Sequence, residues 1–318
     1  SSHFGSRDGD VSSALPNATT THRATMADFE QITYRVEPNG GADIAVVSLN
    51  RPEYRNAISR IMTHELDRAF AMACANSNVR VIVLRAEGQH FSSGHDLGSK
   101  RHIDDLQAHP YEPGVDGDYE KWSELDVEMC LRWRQLRKPL LCGLKGFTIY
   151  HGCAVASCCD LVLASDDLQM MPSLVEYSAL PWDLALNTRR AKEIMFLQRF
   201  ILAPEALELG LVNRVVSSNP PDLLDQELIR MAKQVCKADS FHLRMMKLTC
   251  NQAQDSAGFS QHLRSSLSHW TSYRWSWATK GGQTADHGGT AKRLAPVKGA
   301  LQEDTMYWSR SANNRAKL

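Results

Sequence analysis

Between two polar ends, the chain alternates short apolar runs with amphipathic stretches. ADIAVVSLN (42–50), VRVIVLRAE (79–87), KPLLCGLKG (138–146) and DLVLAS (160–165) each read as a strand. ISRIMTHELDRAFAMACAN (58–76) carries Ile58, Ile61, Met62, Leu66, Ala69 and Phe70 at helical spacing, which predicts one buried helix face. A short helix is predicted over about 152–159. From 188 to 270 the pattern turns helical, interrupted by a short strand at VNRVV (212–216). Pro204 opens one helix there and Gly210 closes it. Two long amphipathic helices are expected after that strand. Strands alternating with helices imply an α/β fold with parallel pairing and crossover helices.

The ends behave differently. Residues 1–25 are rich in Ser, Thr and Gly with no apolar segment, which fits a disordered tail or an appended non-native leader rather than a signal peptide. Met26 reads as a native start, and 278–318 as a flexible extension. Between them the division is a core over 26–215 and a helical region over 216–277.

Charge narrows the classes of partner. Lys plus Arg and Asp plus Glu are each 36, so no overall field favours nucleic acid. An anionic ligand would need cations placed locally. No apolar run reaches the roughly 18 residues of a membrane helix. The eight cysteines show no C-x-x-C pair and no zinc spacing, so they are expected as buried thiols in a reducing, cytoplasmic setting, with no metal.

Three junctions after strands carry the candidate chemistry. RPEYRNA (51–57) places Arg51 and Arg55 where they could meet phosphates, or form a solvated turn. QHFSSGHDLGS (89–99) centres on Gly94, where backbone can approach a ligand closely. Tyr150-His151-Gly152 opens a predicted helix, whose first N–H groups favour developing negative charge. Each turn alone is unremarkable.

Together they are specific. NRPEYRNA resembles the crotonase motif N-R-P-x-x-x-N-A, and FSSGHDL resembles F-x-x-G-x-D-[LI]. KGFTIYHGCAVASCCDLVLASDD is similar to N-G-x-x-x-G-G-G-x-x-L-A-x-x-C-D-x-x-x-A, and RAKEIMFLQRFILAPEALELGLVNRVV resembles the family's helix–turn–strand segment. The matches run in the family's order from about 30 to 270. The resemblance implies a ββα spiral with a C-terminal helical trimerisation region, assembled as a homotrimer or homohexamer. It implies an acyl-CoA substrate, with coenzyme A entering as part of the thioester and no tightly bound cofactor. By position, the backbone N–H groups of His95 and His151 would hold the thioester oxygen. Arg55, Ala57, Ser93, Asp96 and Leu97 match positions lining the family's CoA path, and Lys247 would supply a cation to its nucleotide end.

The departures matter as much. The family's glycine triplet is here Tyr150-His151-Gly152, and the two hydratase glutamates fall at Ala154 and Ser173. Other acids lie close in sequence. Asp183 aligns with the aspartate that dienoyl-CoA isomerases use as a base and chlorobenzoyl-CoA dehalogenases use as a nucleophile. The residues alone leave it either this role or that of a helix N-cap. Glu176 follows Pro172 by four positions and is a second candidate. The side chains of His95 and His151 either act as acid or base or merely follow their backbone. The readings carried forward are a hydratase/isomerase-like enzyme, a hydrolase or C–C-cleaving relative using Asp183, and an inactive binding subunit of the same fold.

Overall fold

The computed structural model of the chain describes residues 29–172 and 178–279. A six-stranded sheet forms its centre, in the order β1-β2-β3-β4-β6-β9. Its strands are β1 (Ile32–Glu37), β2 (Asp43–Leu49), β3 (Val79–Ala86), β4 (Leu140–Leu144), β6 (Leu161–Ser165) and β9 (Arg214–Val216). Only the β1–β2 pair is antiparallel. A smaller sheet joins β5 (Phe147–Tyr150) to β7 (Gln169–Pro172) in parallel, and β7 to β8 (Ile201–Leu202) antiparallel.

The central strands are apolar on both faces because both faces are covered. In β2, Ala45, Val47 and Leu49 join the main core with Met62, Leu66 and Phe70 of α1 (Arg60–Ala75). The alternate residues Ile44 and Val46 meet Leu224, Leu228 and Met231 of α9 (Leu223–Val235). Two-residue alternation thus feeds two layers of helix, as parallel sheets require. α1 starts where Ser59 accepts a hydrogen bond from the Met62 N–H, a conventional N-cap.

Three helices, not two, follow β9: α9, α10 (Ser240–Ser256) and α11 (Phe259–Thr279). The apolar face of α9 is spent on the sheet, and Phe259, Leu263 and Leu267 of α11 enter the main core. Much of the apolar surface of these helices therefore closes the chain's own fold. Phe241, 66 % exposed, and Met246, 44 %, remain outward on α10. All eight cysteines are free thiols. Among the described residues no helix is long and apolar enough to cross a membrane.

One long helical run was not anticipated. α3 (Val115–Trp122), a π-helical turn (Ser123–Glu128) and α4 (Met129–Arg134) follow without a break. Such a widened turn inserts a residue into a helix and commonly marks a functional position. It carries Asp126, which has no exposed surface at all.

Candidate active site

The site is assembled from strand ends. After β2, Arg51 does not face solvent; it is 5 % exposed. Its guanidinium donates to Asp96 Oδ2 (2.8 Å), to the Ala57 carbonyl (2.9 Å) and to Ser99 Oγ (3.1 Å). Asp96 also accepts the Gly98 and Ser99 N–H groups. Burial raises the Asp96 carboxyl, but the Ser99 and Arg51 hydrogen bonds outweigh it, leaving the pKa below its ordinary value. Arg51 and Asp96 therefore clamp the two loops together, and Asp96 is no part of an open CoA path. Arg55 is exposed, held in a left-handed conformation at φ 51°, and makes no salt bridge among the described residues. Of the two arginines, Arg55 is the one able to meet an anion.

Two turns are brought side by side. Ser92 pairs with Thr148 as a parallel bridge, with the Ile149 N–H donating to the Ser92 carbonyl and the Ser92 N–H to the Phe147 carbonyl (3.0 Å each). Close approach needs glycine: a Cβ on Gly94, at φ +93°, would lie 3.1 Å from the Ile149 carbonyl oxygen, and one on Gly152 would lie 2.9 Å from Ser92 Cβ. Ile58 donates to the Gly94 carbonyl and accepts from the Asp96 N–H. In that parallel register the intervening His95 N–H and C=O point away from Ile58. His151 is the first residue of α5 (His151–Ser157), so its N–H has no acceptor within the helix. Its neighbour Tyr150 stands at φ 45°, a conformation that costs a non-glycine residue about 1–3 kcal/mol. Ser93 binds the Arg55 carbonyl (3.0 Å) through its N–H; Ala57 is buried, and Ser93 and Leu97 are partly exposed.

The two histidine rings stack, with centroids 4.3 Å apart and planes 15° from parallel. Asp126 lies beside both, with Oδ2 3.3 Å from His95 Nε2 and Oδ1 3.3 Å from His151 Nδ1. Burial pushes Asp126 up to about 6, opposed by His151 and then Lys121. Burial pushes His151 down to about 3, reinforced by His95 and opposed by Asp126. At neutral pH the cluster thus holds a carboxylate beside a neutral His151. Asp126 was not singled out from the sequence. Its signal was an acid on an apolar helical stripe, with Trp122, Met129, Cys130 and Trp133 at intervals of three and four.

A second acid occupies the other end of α5. Asp183 closes the short helix α6 (Leu180–Asp183) and accepts the Ser157 hydroxyl (2.8 Å). It caps nothing: the next helix, α7 (Thr188–Leu197), is capped by Asn187. Asp183 and Ala154 line the same small cleft with Cys153, Leu180 and Met170. Burial pushes Asp183 up to about 6, opposed by the Ser157 hydrogen bond and by Arg134. An acid therefore shares this cleft with Ala154.

The remaining candidates separate. Lys247 is buried and donates to Asp160 Oδ2 (2.8 Å) and the Lys138 carbonyl (3.3 Å), so its ammonium serves the fold and is not available to a nucleotide. Glu176 lies outside the described residues.

Comparison with known proteins places the chain in a family. Residues 39–273 match the enoyl-CoA hydratase/isomerase family. EchA13 of Mycobacterium tuberculosis, which carries the name of an enoyl-CoA hydratase, is 34 % identical over 255 residues, covering 74 % of this chain and 78 % of that protein. A probable enoyl-CoA hydratase from Mycobacterium smegmatis superposes with a TM-score of 0.68 at 32 % identity, over 77 % of this chain and 95 % of that one. An enoyl-CoA hydratase/isomerase from Xanthobacter autotrophicus Py2 gives a TM-score of 0.68 at 28 % identity, over 89 % of this chain and 98 % of its own. The chain belongs to the enoyl-CoA hydratase/isomerase family of the crotonase superfamily, and its α/β architecture is the crotonase fold.

Proposed function

We propose that the protein transforms an acyl-CoA thioester by proton transfer, with the thioester oxygen held between the backbone N–H groups of His95 and His151. The observation that carries this reading is the pinning of the Gly94 and Tyr150-His151 turns by the Ser92–Thr148 bridge. Fixed N–H donors aimed at a developing oxyanion are each worth about 2.7–4 kcal/mol in a transition state. Coenzyme A enters as part of the substrate and no tightly bound cofactor is invoked. Asp183 supplies the acid–base group, because Ala154 cannot carry a proton and Asp183 faces the same cleft. One such group in the cleft favours isomerase-like proton movement over two-glutamate water addition. A hydrolytic or C–C-cleaving reaction would use the same Asp183, and analysis of products separates the two. The free thiols fit a reducing compartment such as the cytoplasm.

In this reading the exposed Arg55 meets the CoA phosphates. Calorimetry with coenzyme A and with short- and medium-chain acyl-CoAs tests this directly. Binding is expected, and Arg55→Ala should weaken it by about 10-fold, the loss of one charge-assisted contact. Absence of binding by every ligand at millimolar concentration would overturn the reading.

Assembly as a trimer or hexamer is part of the proposal. Phe196, 77 % exposed, Leu197, 63 %, and Phe241 leave apolar surface that a monomer would not keep uncovered. Sedimentation at micromolar concentration should show the oligomer, and a stable monomer would refute it.

A further inference from the structure

The Ser157 hydroxyl has one proton and two acceptors. Ser157 ends α5, and its Oγ lies 3.0 Å from the Cys153 carbonyl, one turn back, and 2.8 Å from Asp183 Oδ2. A hydroxyl carries a single donor hydrogen, so the two contacts compete for it. The shorter one, to a carboxylate, is charge-assisted and takes the proton while Asp183 is ionised. The Cys153 carbonyl is the alternative, a familiar acceptor for a serine four residues further along a helix.

A hydroxyl that can turn differs from a fixed donor. A backbone N–H aimed at Oδ2 would favour the ionised carboxyl and lose its good acceptor once the carboxyl took up a proton. Ser157 can swing to Cys153 instead, so neither protonation state of Asp183 strands a buried donor. The carboxyl is also within reach of a ligand. Asp183 and Ser157 are both partly exposed, and both line the cleft that holds Ala154. Asp183 Oδ1 makes no hydrogen bond among the described residues, which leaves it as the oxygen free to exchange protons.

The charged and titratable groups around the carboxyl do not compete with this role. Arg134 on α4 lowers the Asp183 carboxyl through its charge, while its guanidinium is bonded to Asp255 and Gln254. The Cys153 thiol on α5 donates to the Thr148 and Met171 carbonyls, and burial pushes it well above its ordinary value, so it stays protonated. On α11, His262 accepts the indole N–H of the neighbouring Trp182 (2.9 Å), and burial lowers its pKa. Among the described residues only Ser157 hydrogen-bonds to the Asp183 carboxyl.

We propose that Ser157 is the positioning residue of Asp183: its hydroxyl holds Oδ2, leaves Oδ1 to the acyl group, and turns to the Cys153 carbonyl when Asp183 takes up a proton. This rests on the acyl-CoA reading above. The substrate C–H bond breaks, its proton goes to Oδ1, and its electron pair forms the enolate. The Ser157 proton changes acceptor but stays on Oγ. When Asp183 returns its proton to carbon the hydroxyl turns back, and both residues end as they began.

Carboxyl-carbon NMR of the aspartate-labelled full chain, titrated across pH 6, tests the arrangement without substrate. The signal missing from Asp183→Asn identifies the group. The parent should titrate near pH 6. Ser157→Ala removes the donor to the ionised form, so the midpoint should rise by about one pH unit. Ser157→Thr keeps a hydroxyl and should titrate with the parent. An unchanged midpoint in Ser157→Ala would overturn the proposal, and so would a threonine midpoint raised as far as alanine's. With a saturated acyl-CoA, the pH profile of α-proton exchange should move up in Ser157→Ala by as much as the NMR midpoint. A profile that stays in place while the midpoint moves would likewise overturn it. Failure of the parent to bind any acyl-CoA would instead sink the proposed function, and the titration would still decide whether Ser157 controls the Asp183 proton.

Discussion

Replacing Asp183 with asparagine should lower turnover by roughly 10²–10⁴-fold while leaving the protein at least as stable at pH 7.5. The carboxyl lines the cleft beside Ala154 and is held by Ser157, so its geometry survives in the amide. What is lost is the proton. The stability part follows from the sign of the shift. The folded-state pKa, pushed up to about 6, lies above that of the unfolded chain. The folded protein therefore binds the Asp183 proton more tightly, and the ionised group opposes folding as pH rises through the interval from about 4 to 6. Asparagine never ionises. The variant's melting temperature should equal or exceed the parent's above pH 6, and the gap should close near pH 4. Parent activity should rise through about pH 6 as the base ionises. Retained turnover with a fallen melting temperature would make Asp183 structural.

Arg51→Ala should destabilise the fold by about 3–5 kcal/mol, whereas Arg55→Ala should change stability by less than about 0.5 kcal/mol. Removing the Arg51 guanidinium leaves the Asp96 carboxylate buried without its cation and takes the guanidinium donor from the Ala57 carbonyl as well. Asp96 is depressed, so the pair's contribution is present above the carboxyl's unfolded value and is lost as pH falls through its folded one. Thermal melts of both variants at pH 7.5 decide it. A drop on the order of 10 °C is expected for Arg51→Ala alone. Equal melting temperatures would mean that the clamp is not what joins the loops.

The sequence was informative where one local rule decided the outcome. Strand cores over 42–50, 79–87, 138–146 and 160–165 were legible because burial on both faces leaves an uninterrupted apolar run. The boundaries around Pro204 and Gly210 follow from local chemistry in the same way. β1, β5 and β7 were not picked out. β1 is an edge strand, half exposed, and β5 and β7 are short pieces ordered by each other. The sequence could not say which of two arginines four apart points inward. That depends on Asp96, forty-five residues from Arg51 in the chain. The same limit hid Asp126, since one acid in a helix acquires meaning only when the turns bearing His95 and His151 fold over it. Asp183 was found through the family resemblance, while the residues alone left it a helix N-cap as an alternative, and the bond to Ser157 needed the structure.

The central claim is that this fold stabilises the enolate of an acyl-CoA. Deuterium exchange at the α-carbon of saturated acyl-CoAs, followed by proton NMR in D₂O, tests it most directly, because exchange requires only binding and enolate formation. The protein should catalyse exchange with at least one short- or medium-chain acyl-CoA. Gly94→Val, which forces a branched Cβ against the Ile149 carbonyl and displaces the His95 N–H, should suppress it by about 10²–10³-fold. Tight binding of acyl-CoAs with no exchange above the uncatalysed rate would contradict the account.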